Sequence, residues 1–163
     1  MEFEQLVHTY QEPLYWHIRR LVVSHEDARD LVQETFLQAW RAYPNLRNHS
    51  ALRAWLYKIA TNCCYSFLRR NRISPLSTEE LSSLLLERLE ASSYVDYEDT
   101  EGVRFQRALL TLSEQQRTVF NLRYWDEMPY EEIARVVGTS EASLRVSYHH
   151  AVERIKAYLE THD

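Results

Sequence analysis

The sequence predicts an all-α protein: two small helical domains joined by a flexible acidic linker, with a helix-turn-helix at the end of the second. Apolar residues recur with the 3.6-residue period of a helix over most of the chain. No stretch alternates apolar and polar residues for long enough to predict a strand. The 163 residues include only two glycines and four prolines, which leaves few breaks in the helical pattern.

Changes in composition predict the domain limits. Residues 1–72 are expected to form the first domain and residues 104–163 the second. The intervening residues 73–103 are rich in Ser, Glu and Asp, and their last third has little to bury, so we interpret them as the linker. Because 45% of the chain is hydrophobic, it is not a chain that is disordered throughout.

Helical stripes in the first domain predict three helices. They span Phe3–Val23, Glu26–Tyr43 and Ala51–Arg70. Ser24 precedes the second helix as a candidate cap, and the composition of Pro44–Ser50 predicts a loop before the third.

The second domain carries clear signals for the ends of its helices. Ser113 and Gln116 form a capping box that opens a helix ending at about Tyr124. Gly138 suits the left-handed residue that ends a short helix, and Thr139 or Ser140 can cap a longer one. A short helix, a turn containing glycine and a second helix form a helix-turn-helix.

The last helix has an apolar side and a side that a core helix would not need. At 100° per residue the apolar side comprises Leu144, Tyr148, Ala151, Val152 and Ile155. The opposite side comprises Ala142, Ser143, Arg145, Val146, His149 and His150. Arg, Ser and His can bond base edges or phosphates, and Val can touch a thymine methyl, so this side suits DNA. A solvated face on an ordinary helical hairpin is the alternative.

Two further helical faces suggest binding surfaces. On the second helix, Leu37 lies within a polar stripe formed by Asp30, Gln33, Glu34 and Arg41, with Trp40 at its border, which suits a protein–protein patch. On the third, the expected outer face comprises Tyr57, Lys58, Thr61, Asn62, Tyr65 and Arg69. Cations interleaved with aromatic residues suit single-stranded nucleic acid. Ordinary solvated helix faces are the alternative in both cases.

The charge distribution bears on DNA binding. The net charge of −5 combines +3 in residues 1–72, −7 in residues 73–103 and −1 in residues 104–163. The first domain ends in a basic cluster of Arg69, Arg70 and Arg72. Since phosphate contacts drive non-specific affinity, we expect the protein alone to bind DNA weakly and to need a partner.

Several function classes lack their signatures. The sequence contains no phosphate-binding G-x-x-x-x-G-K-[ST] and no His-Glu-x-x-His, and adjacent His149 and His150 point about 100° apart. Adjacent Cys63 and Cys64 are expected to be small buried residues. We expect no catalysis, metal, cofactor or small-molecule substrate. Without an apolar run of membrane length or a signal-peptide pattern, we expect a cytoplasmic protein.

Three stretches, in order, resemble the extracytoplasmic-function (ECF) subfamily of the sigma-70 family of RNA polymerase sigma factors. DARDLVQETFLQAWRAY (27–43) resembles the helix that binds core polymerase, and AWLYKIATNCCYSFLRR (54–70) the helix that binds the −10 promoter element. Residues 112–159 resemble the −35-binding domain. The resemblance implies a protein that binds core RNA polymerase at the β′ clamp helices and β flap, recognises promoter DNA and helps to open it. It also implies an anti-sigma factor as partner, frequently a membrane-bound one.

The resemblance assigns roles to residues by their position in these motifs. The core-polymerase surface comprises Asp30, Gln33, Glu34, Leu37 and Trp40. The −10 surface comprises Asn48, His49 and Ser50, which match the loop that captures a flipped base, together with Trp55, Lys58, Asn62, Arg69 and Arg70. The −35 surface comprises Thr139, Ser140, Ser143, Arg145, Val146, Ser147 and His149.

The sequence departs from the family pattern at Thr61 and Ser66, where Arg and Asp are common, and at Ser147 and His150, where Arg is frequent. These departures concern the promoter sequence and not the class of protein. An ordinary helix-turn-helix repressor or activator, with 27–43 as a dimer helix, is the competing hypothesis. It predicts tight duplex binding without polymerase.

Overall fold

The computed structural model describes residues 2–71 and 100–162, and the predicted linker therefore lies largely outside the described residues. Within these ranges the chain is helical and contains no strand, as predicted. The helices are α1 (Phe3–Val22), α2 (His25–Ala42), α3 (Leu52–Arg70), α4 (Thr100–Leu109), α5 (Glu114–Tyr124), α6 (Tyr130–Val137) and α7 (Glu141–Thr161). Helix α4 begins inside the stretch predicted as linker.

Local hydrogen bonds explain where the helices begin and end. Ser24 Oγ accepts from the Asp27 backbone N–H at 3.3 Å at the start of α2. Ser113 Oγ accepts from the Gln116 N–H at 3.2 Å, while Gln116 Oε1 accepts from the Ser113 N–H at 3.3 Å, which confirms the predicted capping box.

The predicted helix-turn-helix consists of α6, a tight turn and α7. Gly138 ends α6 with a φ of 74°, a left-handed conformation that glycine adopts without steric cost. Ser140, rather than Thr139, caps α7, because Ser140 Oγ accepts from the Ser143 N–H at 3.2 Å.

The connection between α2 and α3 is more ordered than the predicted loop. It contains two short 3-10 turns, Tyr43–Asn45 and His49–Ala51. Pro44 at the start of the first turn has its φ already fixed near the helical value, which favours such a turn. In the second, Asn48 Oδ1 accepts from the Ser50 N–H at 3.1 Å.

Buried apolar side chains join the two halves of the molecule. One cluster contains Leu14 and Leu56 of the first half together with Leu122, Ile133 and Leu144 of the second. A smaller cluster, including Phe120 and Ile155, holds α4, α5 and α7 together. Helix α3 packs against α6, and α1 against α5. The halves are therefore in contact, a point that sequence periodicity left undecided.

The structure corrects the predicted outer face of α3. Tyr57 and Thr61 were expected on it, but they are only 1% and 3% exposed. The Tyr57 hydroxyl donates to Asp126 in the turn before α6, and Thr61 Oγ1 lies 2.9 Å from Nε2 of the buried His17. A helix covered by three neighbours buries more of its circumference than an amphipathic pattern suggests. Cys63 and Cys64 are buried and unpaired, as predicted.

Candidate functional surfaces

The face of α2 that was predicted to bind protein is open to solvent. Asp30, Gln33 and Glu34 are exposed. Leu37 and Trp40 are 44% and 62% exposed, which is unusual for large apolar side chains. Gln38 Nε2 donates to Glu34 Oε1 at 2.9 Å and so orders the carboxylate beside Leu37. An apolar centre with a hydrogen-bonded polar rim is the composition of a protein-docking surface.

The loop before α3 presents three polar side chains at the start of that helix. Asn48, His49 and Ser50 are all exposed. Asn48 Oδ1 accepts from both the backbone N–H and the hydroxyl of Ser50, which fixes the amide in place. The His49 ring meets Tyr43 edge-to-face with 5.6 Å between centroids. The loop is thus held in shape by its own polar contacts.

One side of α3 carries the remaining predicted −10 residues. Lys58, Asn62, Arg69 and Arg70 are exposed, whereas Trp55 is half-buried against Tyr43, with 6.3 Å between centroids. This surface can contact a phosphate backbone through its three cations and a base edge through the Asn62 amide.

Arg69 and Tyr65 lie at the boundary between this surface and the second half of the molecule. The Arg69 guanidinium lies 5.9 Å from the Tyr65 ring centroid and 3.5 Å from a carboxylate oxygen of Glu114. The Tyr65 hydroxyl donates to the Glu114 carbonyl at 3.1 Å, and burial raises its pKa. Tyr65 was predicted to face solvent. It is instead committed to a contact between α3 and α5.

The predicted reading face of α7 is uncovered. Ser143, Arg145, Val146 and His149 are exposed, and Val146 is 55% exposed although it is apolar. Ser147 and Thr139 are half-buried, and Ser140 caps the helix. Leu144, Ala151 and Ile155 on the opposite side are buried, as the periodicity predicted. The face can therefore enter a groove without disturbing the core.

Tyr130 is a residue of this surface that the sequence analysis missed. The guanidinium groups of Arg145 and Arg123 lie 5.0 and 4.5 Å from the centroid of its ring. Arg145 also approaches Glu141 at 3.7 Å, one helical turn earlier. Tyr130 thereby positions the principal cation of the reading face. The contact joins three helices, so no local sequence signal could have revealed it.

The part of the chain that the structure describes contains neither a metal-binding cluster nor a membrane-spanning helix. No three His, Cys, Asp or Glu side chains there gather closely enough to hold a metal ion. Nor is any helix of those residues sufficiently long and apolar to cross a membrane.

Family comparisons agree with the arrangement of these surfaces. The family model for Sigma-70 region 2 matches residues 6–73, which contain the α2 and α3 surfaces. The model for Sigma-70, region 4, matches residues 102–155, which contain the helix-turn-helix. The RNA polymerase sigma factor YlaC of Bacillus subtilis is 32% identical over 90% of this chain and 85% of its own length. The chain therefore belongs to the sigma-70 family of RNA polymerase sigma factors.

Other relatives include a named member of the ECF subfamily. The ECF RNA polymerase sigma factor SigG of Mycobacterium tuberculosis is 35% identical over 98% of the chain. The chain spans about half of the SigG length, namely 48%. The chain is also 27% identical to the RNA polymerase sigma-E factor of Streptomyces coelicolor, and the match covers 89% of the length of that protein.

Solved structures share the fold. The sigma factor RpoE of Bartonella quintana, crystallised with the anti-sigma factor NepR, superposes with a TM-score of 0.77 at 23% identity. That match covers 99% of this chain and 98% of RpoE. CnrH, in complex with the cytosolic domain of CnrY, gives a TM-score of 0.71 at 24% identity, and the match covers 89% of CnrH.

Proposed function

We propose that this protein is a promoter-specificity subunit of RNA polymerase. It binds core polymerase, recognises −35 and −10 elements and helps to open the −10 region. The observation that carries the proposal is the occurrence of both Sigma-70 regions in one chain, each with an exposed face of the matching chemistry. The protein performs no catalysis of its own and acts in the cytoplasm, where bacterial RNA polymerase works.

The α2 surface is the proposed contact with polymerase. Its exposed Leu37 and Trp40 supply an apolar anchor of the kind that dominates protein interfaces. Asp30 and Glu34 add negative charge that suits a basic partner surface, and the β′ clamp helices are the proposed partner. The second half, residues 104–163, is proposed to contact the β flap as well as DNA.

Two surfaces are proposed to contact the promoter. The loop 48–50 and the exposed side of α3 contact the −10 element, where a flipped base costs a few kcal/mol of lost stacking and must be held in a pocket. The exposed face of α7 reads the −35 element in the major groove, through Arg145 and Val146 in particular. Residues 1–72 and 104–163 remain the predicted limits of these two functional halves.

An anti-sigma factor is the proposed inhibitory partner. Of two solved structures with the same fold, one is a sigma factor in complex with an anti-sigma factor, and the other is CnrH in complex with the cytosolic domain of CnrY. Here the exposed apolar surface of α2 would be masked in the inhibited state. Co-purification from native cells tests this proposal: a stoichiometric inhibitor supports it, and recovery of the free protein alone contradicts it.

The first experiment measures binding to bacterial core RNA polymerase, followed by run-off transcription from candidate promoters. Binding together with start-specific transcripts supports the proposal. No binding to core polymerase, with tight binding to duplex DNA alone, would favour the repressor or activator hypothesis. Glu34→Lys reverses a charge inside the α2 surface and should weaken core binding about tenfold. Glu160→Lys makes the same change on exposed α7 and should leave it unaltered.

A further inference from the structure

The ring of Tyr130 has a fixed position at the start of α6. Tyr130 is the first residue of that helix and is half-buried. Its ring meets the Tyr148 ring edge-to-face, with 6.4 Å between centroids. Tyr148 in turn stacks on Phe120 at 5.7 Å, and Phe120 is buried in the smaller apolar cluster. A chain of aromatic contacts therefore anchors the Tyr130 ring to the core of the second half.

Two guanidinium groups lie over this ring, and they differ in their other contacts. Arg123 is tied to the backbone, because its Nη1 also donates to the Met128 carbonyl at 3.2 Å. Arg145 lies over the ring from the exposed face of α7, and its side chain is 60% exposed. A cation over an aromatic face is attracted by the negative charge of that face. Tyr130 thus restrains a cation that stays accessible to a ligand.

The restraint leaves the hydrogen-bond donors of Arg145 available. A guanidinium is planar and carries its five N–H groups around its edge, so a ring against its face occupies none of them. Glu141 approaches Arg145 at 3.7 Å, which is longer than a hydrogen bond, and attracts it without taking a donor. The donors can therefore form the pair of bonds to O6 and N7 with which Arg recognises guanine.

Holding Arg145 in place should increase discrimination between bases. An unrestrained arginine loses rotamer freedom when it binds a base, and this loss weakens the specific contact. It can also turn to a neighbouring phosphate when the wrong base is present, which recovers affinity without regard to sequence. A restrained arginine avoids the first cost and is denied the second contact. The ring therefore acts on the ratio of affinities for right and wrong sequences.

We propose that Tyr130 is a specificity-determining residue of the −35 surface, which orients Arg145 to donate to a guanine and acts through Arg145 alone. This role rests on the proposed function, in which the exposed face of α7 reads the −35 element.

The test measures binding of holoenzyme to promoter fragments in which each −35 base pair is substituted in turn. The specificity ratio is the affinity for the fragment with G·C at one position divided by the affinity for the fragment with A·T there. Arg145→Ala should identify the position by bringing its ratio close to one. Tyr130→Leu should lower the same ratio about fivefold, because the ordering cost of a free arginine returns. In the Arg145→Ala background, Tyr130→Leu should cause no further loss.

Matched variants separate the ring from the hydroxyl and from general damage. Tyr130→Phe keeps the ring and should preserve the ratio within about twofold. Tyr158→Leu removes another aromatic ring of the second half, one that stacks on His162 near the end of α7, and should leave the ratio unaltered. Tyr130→Met, an unbranched replacement, covers the case in which Tyr130→Leu fails to fold.

Three results would overturn the proposal. An equal loss in Tyr130→Phe would mean that the hydroxyl contacts DNA directly. An unchanged ratio in both Tyr130→Leu and Tyr130→Met would remove the role of the ring. A further loss when Tyr130→Leu is added to Arg145→Ala would show that Tyr130 does not act through Arg145.

Nuclear magnetic resonance of the free protein tests the contact without polymerase or DNA. The ring current of Tyr130 should shield the Arg145 side-chain protons, so their resonances should move downfield in Tyr130→Leu and stay in place in Tyr130→Phe. The absence of that shift would overturn the positioning of Arg145. The expected shift, with no effect of Arg145→Ala on any −35 position, would instead overturn the proposed role of α7 and leave the contact as a structural one.

Discussion

Helices α3 and α7 are both proposed to contact promoter DNA, yet they differ in how much of their surface is covered. Helix α7 buries one stripe, including Leu144, Ala151 and Ile155, and leaves its reading face free. Helix α3 packs against α1, α2 and α6, so its polar residues divide between solvent and protein contacts. A polar side chain therefore predicted exposure on α7, but on α3 the same argument was wrong for Tyr57 and Thr61.

The neighbours Thr61 and Asn62 show what this difference means. Both were predicted to lie on the outer face of α3. Thr61 is buried and lies within hydrogen-bonding distance of His17, whereas Asn62 is exposed. On a helix that packs against several neighbours, only the tertiary contacts show whether a polar residue is exposed or buried. The hydrophobic period alone predicts exposure for both Thr61 and Asn62.

The largest predicted change in the free energy of unfolding distinguishes the buried side of α7 from its exposed side. Leu144→Ala should lower the free energy of unfolding by about 3 kcal/mol, because it removes a fully buried side chain and leaves a cavity. Val146→Ala should change stability by less than about 0.5 kcal/mol, because this side chain is largely exposed. Urea titration measures both changes. A large loss of stability in Val146→Ala would contradict the assignment of faces.

The next prediction concerns the pH dependence of stability and His17 of α1, which lies against the buried side of α3 at Thr61. Burial, and to a lesser extent the Arg20 charge, lower the pKa of His17 from 6.5 to about 3. Between pH 6.5 and pH 3 the unfolded chain binds a proton on His17 that the folded protein does not bind. The contribution of neutral His17 to the free energy of unfolding is therefore fully present above pH 6.5 and is lost as the pH falls towards 3. We expect a loss of about 2 kcal/mol between pH 7 and pH 4.5 by urea titration. His17→Phe should reduce that loss, and an unchanged pH profile would refute the role of His17.

Asp126 should influence stability with the opposite dependence on pH. Burial raises its pKa from 3.8 to about 6, although the Tyr57 hydrogen bond and the charges of Arg20 and Arg53 favour its ionised form. The negative charge of Glu132 acts in the other direction and raises the pKa.

Because Asp126 binds this proton more tightly in the folded protein than in the unfolded chain, its contribution to stability is greatest at low pH and is lost as the pH rises from about 4 to 6. Over this range the free energy of unfolding should fall by about 1–2 kcal/mol relative to the Asp126→Asn variant, which lacks the carboxyl group. Urea titration of both proteins measures the difference. A variant with the same pH dependence as the natural sequence would exclude Asp126 as the responsible group.

The smallest predicted change in the free energy of unfolding distinguishes buried Thr61 from exposed Asn62. Thr61→Val should cost about 1 kcal/mol of stability, because it leaves His17 without that buried partner. Asn62→Ala should leave stability and core binding unchanged but impair promoter opening, which permanganate footprinting of the −10 region detects. Loss of core binding in Asn62→Ala would contradict the proposed division of surfaces.

Much of the fold could be predicted from local signals. The capping box at Ser113, the left-handed Gly138 and the apolar stripe of α7 depend on a few neighbouring residues, and all three predictions are confirmed. The exposure of Leu37 and Trp40 also follows from their position in a polar stripe. The roles assigned to these surfaces came from the family resemblance, and those for individual residues stay predictions.

Local sequence patterns predicted the helical class, the ends of most helices and the exposed face of α7, because these features depend on contacts within a few turns of one helix. Long-range packing determines the contact between the two halves, the burial of Tyr57 and Thr61, and the placement of Tyr130 beside Arg145. Those features depend on pairs such as Arg53 and Glu132, 79 residues apart in the chain. No periodic pattern encodes which polar residue finds a partner across an interface, since either side of such a pair alone resembles a residue that faces water.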